Sequence, residues 1–172
     1  IHFDYRLAVR CIQGGIDKIR INPGNIGLRW KVEEVIHAAA DHNVPIRVGV
    51  NSGSLPKDLQ DEEDVAEAMV TAAEREMEIF EQLGYQSIVF SLKASDINTT
   101  VRANELFSKK HPYPLHLGVT EAGPLIPGVV KSSVAMVKLL EQGIGDTIRV
   151  SLSDSPVNEI VTGIEILGAA GR

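Results

Sequence analysis

Lys18-Ile19-Arg20-Ile21-Asn22-Pro23-Gly24-Asn25-Ile26-Gly27 is the stretch from which the fold is read. Its β-branched run makes a strand on which Arg20 and Asn22 share a face, because strand side chains alternate, and Pro23-Gly24 then breaks the run into a turn. The pattern recurs at Ile46-Arg47-Val48-Gly49-Val50-Asn51, Ile88-Val89-Phe90-Ser91-Leu92-Lys93, Leu115-His116-Leu117-Gly118-Val119-Thr120-Glu121 and Ile148-Arg149-Val150-Ser151. Each run is short, apolar and closed by a residue able to bind or move charge.

Helical patterns lie between these runs. Asp4 caps a helix that Gly14-Gly15 stops, and residues 28–42 place Trp30, Val35, Ile36 and Ala39 near one face. Further helices are expected from Asp61 to about Leu83, from the cap Asp96 through Leu106, from about Val129 to Glu141, and from Asp154-Ser155-Pro156 to about Leu167. Strand and helix in alternation imply an α/β fold with a parallel sheet and right-handed crossovers. The polar strand ends Arg20, Arg47, Lys93, Glu121 and Arg149 are separated by 27, 46, 28 and 28 residues. A nearly constant unit suggests a partial (β/α)8 TIM barrel rather than an open doubly wound sheet. With Ile1-His2-Phe3 taken as the tail of a strand, about six of eight β/α units are present. Residues 1–172 are then one barrel-domain fragment that lacks about two amino-terminal strands and would expose two sheet edges.

The 172 residues suffice for one core, and 17 basic against 23 acidic side chains give no case for nonspecific nucleic-acid binding. No apolar run approaches the roughly 20 residues that cross a bilayer, and no basic-then-apolar leader opens the chain, which suggests a cytosolic or stromal protein. The one cysteine, Cys11, excludes an internal disulfide and a multi-thiolate metal site within this chain and reads as a core thiol.

In a barrel the site lies at the carboxyl ends of the strands, where these polar residues fall. Arg20, Arg47, Lys93 and Arg149 would face one cavity with Glu121 as the sole carboxylate, a costly arrangement unless an anion relieves it. A phosphate or diphosphate fits. Arginine suits bidentate phosphate contacts, Asn22, Asn51 and Ser151 add neutral donors, and the turns at Pro23-Gly24-Asn25 and Ser52-Gly53-Ser54 offer backbone N–H groups. The alternative is that each cation pairs with a nearby carboxylate, and that Glu121 is such a counter-ion. By strand parity His116 points at the helices. His2 is a donor to the ligand or a frayed end, and His37, His42 and His111 read as solvated. Lys93 would also suit a Schiff-base enzyme if burial and neighbouring cations lower its pKa.

The stretches 20–27, 45–55, 93–96, 115–123 and 143–152 together resemble the barrel domain of the 4-hydroxy-3-methylbut-2-enyl diphosphate synthases, and the likeness runs to about residue 167. That resemblance implies an oxidoreductase of the non-mevalonate isoprenoid route, which opens 2-C-methyl-D-erythritol 2,4-cyclodiphosphate and removes a hydroxyl with two electrons from ferredoxin or flavodoxin. It further implies that Arg20, Arg47, Lys93 and Arg149 hold the diphosphate with help from His2, Asn22, Asn51 and Ser151. Glu121 would face the reacting carbon skeleton as the catalytic proton donor or orienting acid. The family's four-iron four-sulfur (4Fe-4S) cluster is held by a carboxyl-terminal domain outside this chain, in a homodimer, and the location is bacterial cytoplasm or plastid stroma. The chain alone is expected to bind substrate without turnover. Two other readings compete. One is a non-redox phosphosugar or pterin-type barrel, either a synthase or a Schiff-base aldolase using Lys93; the other is a non-catalytic scaffold.

Overall fold

The computed structural model of the chain describes Ile1 and residues 3–172, so the expectations for His2 lie outside the described residues. Seven α-helices and five strands are formed among them: α1 (Tyr5–Gln13), β1 (Ile19–Ile21), α2 (Pro23–Ile26), α3 (Arg29–His42), β2 (Ile46–Asn51), α4 (Val65–Gln82), β3 (Ile88–Lys93), α5 (Ile97–Lys110), β4 (His116–Leu117), α6 (Leu125–Leu140), β5 (Thr147–Ile148) and α7 (Pro156–Ala169). The fold is α/β with parallel strands. β1, β2 and β3 form one parallel sheet in chain order, with Arg20 opposite Arg47 and Asn51 opposite Lys93. β4 and β5 form a second parallel pair, and a parallel bridge between Phe90 and Leu115 joins the two.

Side-chain caps fix most helix starts. Asp4, Asp64, Asp96 and Ser155 each accept from backbone N–H groups in the first turn of α1, α4, α5 and α7. Local chemistry also accounts for three departures from the sequence reading. The Pro23-Gly24 turn is a short helix, with the Asn25 and Ile26 amides bonded to the Asn22 carbonyl. Helix α6 begins at Leu125, four residues before the expected Val129, because Pro127 sits in the first turn, where an N–H has no intrahelical partner anyway. Trp30 is about half exposed (49%) and packs edge-on to Tyr5 at 5.3 Å instead of joining the buried stripe of α3, which begins at Val32.

The core lies between the sheet and the helices. Phe80, Phe90, Phe107, Met69 and Leu92 are fully buried in it. Phe90 on β3 and Phe107 on α5 have ring centroids 4.9 Å apart, so the outward face of β3 is fixed against α5. His111 is not solvated: its Nε2 lies 2.8 Å from Glu74 Oε1 and its ring packs on Phe107. Among the described residues no helix is long and apolar enough to cross a membrane.

Phe107→Ala should cost about 3–5 kcal/mol, since its ring fills space that neither β3 nor α5 can close over. Urea unfolding measures this, and a loss under about 1 kcal/mol would show that the β3–α5 seam is not what holds this side of the core.

Candidate functional site

Strand register sets two of the cations side by side, and side-chain reach gathers the others into the same pocket. Arg20 and Arg47 are direct partners across β1 and β2, and Lys93 at the end of β3 is paired with Asn51 at the end of β2. Like charges placed opposite one another repel, so this register works against the sheet unless something else gains from it. The side chains fit because glycines face them. A Cβ on Gly49 would lie 2.5 Å from Arg20 Nη2, and one on Gly118 would lie 2.8 Å from Lys93 Nζ and 2.7 Å from the Arg149 carbonyl oxygen.

Arg20, Arg47, Asn51, Ser91, Lys93, Arg149 and Ser151 line one pocket of about 250 Å³. Among the described residues Arg20, Arg47 and Lys93 have no carboxylate within ion-pair distance; Arg149, largely exposed, reaches Glu159 at 4.0 Å, the outer limit of such a pair. The expectation that each cation is privately neutralised is therefore not met. Burial, then the neighbouring guanidinium groups of Arg47, Arg149 and Arg20, bring the Lys93 ammonium down to about 7. Arg47 is lowered by burial and by Arg20 and Arg149, and Arg20 by burial.

Glu121 stands apart from this cluster. β4 ends at Leu117, so strand alternation does not extend to residue 121, which is exposed in a turn at φ 51°. It forms no ion pair among the described residues and lines an adjoining pocket of about 350 Å³ with Asn25, Ser52, Gly53, Ser54 and Ser95. The two pockets share Asn51 and Thr120.

Two further expectations are corrected. Asn22 does not share the pocket with Arg20: β1 ends at Ile21, and the buried Asn22 turns so that its Nδ2 donates to Ser54 Oγ at 3.0 Å. His116 does not point at the helices. Leu115 is bridged to Phe90, which faces α5, so His116 and Gly118 take the opposite, cation-bearing face. His116 is buried (7% exposed), its Nδ1 lies 2.8 Å from Thr147 Oγ1, and its Nε2 has no partner among the described residues. Burial, then Lys93 and Arg47, depress its pKa to about 3, so the ring is neutral at physiological pH. The sequence held the signal, since bridge partners in parallel strands share a face and Phe90 is strongly apolar, but it did not give the register.

Among the described residues no three His, Cys, Asp or Glu side chains are placed to hold a metal ion. The lone Cys11 is half-buried on α1 and packs against the core. The donor set of a 4Fe-4S cluster does not fit these residues.

A family model described as the GcpE TIM-barrel domain matches residues 1–164. Three relatives, each named 4-hydroxy-3-methylbut-2-en-1-yl diphosphate synthase (flavodoxin), are similar over almost the whole chain. The protein of Thermodesulfovibrio yellowstonii is 59% identical, the alignment covering 99% of this chain and 50% of the relative. That of Treponema denticola is 53% identical over 100% and 50%, and that of Geobacter sulfurreducens 54% over 98% and 48%. The chain thus spans about half the length of the curated relatives it matches.

His116 should stay neutral in the folded chain well below the ordinary 6.5 of histidine. The unfolded chain then binds more protons than the folded one between 6.5 and about 3, so stability should fall as pH drops through that window and be unaffected by this group above it. Histidine NMR titration checks this; a ring that protonates near 6.5 would place His116 in solvent.

Proposed function

The chain belongs to the GcpE TIM-barrel family, and on that premise we propose that it is the substrate-binding barrel portion of a 4-hydroxy-3-methylbut-2-enyl diphosphate synthase. The substrate is 2-C-methyl-D-erythritol 2,4-cyclodiphosphate, opened and reductively dehydroxylated in the non-mevalonate route to isoprenoids. The observation that carries the reading is the pocket in which four cations from four strand segments meet with no carboxylate among its described lining residues.

A bound diphosphate supplies the missing negative charge. Arg20, Arg47 and Arg149 hold its oxygens through paired N–H donors, Lys93 adds an ammonium once protonated, and Asn51 and Ser151 complete the donor set. Because free Lys93 sits near 7, the incoming anion raises its pKa and binding takes up a proton above that pH. Asn22 acts on the site only through Ser54. On this reading the carbon skeleton extends toward the adjoining pocket, which Glu121 lines, and Glu121 delivers or holds a proton at the reacting carbon. Flavodoxin would supply the reducing equivalents, and the ligands of a 4Fe-4S cluster would have to come from the other half of the longer protein, a homodimer of the bacterial cytoplasm on this reading.

The strands run parallel in chain order, which supports an arc of a (β/α)8 barrel with about two more units in the longer protein. Exposed Val157, Ile160, Val161 and Ile164 form an i, i+3, i+4, i+7 stripe along α7, the kind of face that such a unit would cover. The depressed Lys93 would suit a Schiff base as well, but the relatives' names favour the synthase over an aldolase.

Isothermal titration calorimetry with inorganic diphosphate tests the pocket. Arg47→Gln and Arg149→Gln should each weaken binding about 10- to 100-fold, the worth of one charge-assisted hydrogen bond, while Lys138→Gln on the exposed side of α6 should leave it unchanged. Equal affinities for all three variants would contradict the assignment. Residues 1–172 alone should bind the cyclic diphosphate and give no product, and product from this polypeptide alone would refute the division of labour.

A further inference from the structure

Behind the mouth lies a third, much smaller cavity. Asn22, Gly24, Val50, Ser54, Pro56, Ala72 and Glu76 enclose about 20 Å³, room for one water, which needs about 10–15 Å³. Glu76 is carried there by α4, in the row Ala72, Glu76, Phe80, where its i−4 and i+4 neighbours are both buried. Its Oε2 is shut off from solvent and has no hydrogen-bond partner among the described residues. Among the described residues, those that β1, α2, β2 and the 52–56 connection bring to or near the cavity wall, Asn22, Gly24, Val50, Ser54 and Pro56, include no titratable side chain. Burial alone pushes the carboxyl up to about 7.

The polar atoms on the far wall have acceptor capacity to spare. Ser54 Oγ accepts from Asn22 Nδ2 at 3.0 Å and directs its own proton to the Asn51 carbonyl at 3.4 Å, which leaves one lone pair. Asn22 Oδ1 lies beside Gly24, another wall of the cavity. A water that accepts from a protonated carboxyl can donate to both oxygens and so make three hydrogen bonds. Facing a carboxylate, it must spend one of its two protons there and makes only two, while a buried charge goes unpaired.

We propose that Glu76 is a positioning residue: in its protonated form it holds one water in this cavity and, through that water, the Asn22–Ser54 pair that anchors the Ser52–Ser54 turn. This turn, with Asn51, walls the pocket that contains Glu121, so Glu76 sets the shape of the mouth without touching a ligand. The consequence for the mouth rests on the functional reading above; the anchoring itself does not.

The test is backbone amide hydrogen exchange of residues 52–55 in the intact protein between about pH 6 and 9, corrected for the intrinsic base-catalysed rate. The wild type should lose protection by about tenfold per pH unit above 7, as the protonated fraction of Glu76 falls. Glu76→Gln should keep the neutral-pH protection and stay flat with pH, because its carboxamide N–H donates to the same water. Glu76→Leu should be poorly protected at every pH, and should it fail to fold, the comparison of wild type with Glu76→Gln still decides. A wild-type profile without pH dependence, or one that Glu76→Gln reproduces, overturns the proposal. The experiment uses no ligand, so its failure leaves the diphosphate titration standing, and failure of that titration leaves this anchoring intact.

Discussion

Repulsion among like charges is the constraint around which this chain is arranged. The pairing of β1 with β2 sets Arg20 directly opposite Arg47, and the pairing of β2 with β3 sets Lys93 opposite Asn51, four residues beyond Arg47, from where its side chain shares their pocket. The backbone register fixes these positions, so the side chains cannot escape one another by more than their own length. The molecule makes room for them with glycine facing them, at Gly49 and Gly118, and among the described residues offers no carboxylate in return beyond the distant Glu159. Part of the strain is relieved by Lys93 giving up its proton near neutrality. A site that sheds charge when empty is prepared to take it back when an anion arrives.

The surrounding structure keeps that arrangement in place. Aromatic packing of Phe90 on Phe107 orients β3, so that Ser91 and Lys93 must face the other way. The neutral His116 fills the same face without adding to the positive charge. Glu121 and the Ser52–Ser54 turn wall the adjoining pocket and are set by loop geometry rather than by strand register, whereas Glu76 is brought up behind them by α4.

What could be read from the sequence follows the same division. Within hydrogen-bonded strands the period of two held, and it placed Arg20, Arg47, Asn51 and Lys93 together. Just beyond the strand ends it failed: Asn22 swings to Ser54 one residue past β1, and Glu121 lies in a left-handed turn four residues past a two-residue β4. Parity misplaces His116 when it is counted from Glu121, outside the strand, whereas its neighbour Leu115, bridged to Phe90, sets the face correctly. Helix caps at Asp4, Asp96 and Ser155 were legible because they depend on local side-chain chemistry. Glu76 left a fainter trace, a carboxylate in an otherwise buried helical row, and its environment comes from β1, β2 and a connection distant in sequence.

The most direct measurement is the titration of Lys93 by NMR with ε-carbon-labelled lysine, free and saturated with inorganic diphosphate. Lys93 should titrate at about 7 in the free protein and well above that once the anion is bound. A Lys93 that titrates at the ordinary lysine value when free, or one whose titration diphosphate does not move, would contradict the claim that these strand ends converge on a single anionic guest.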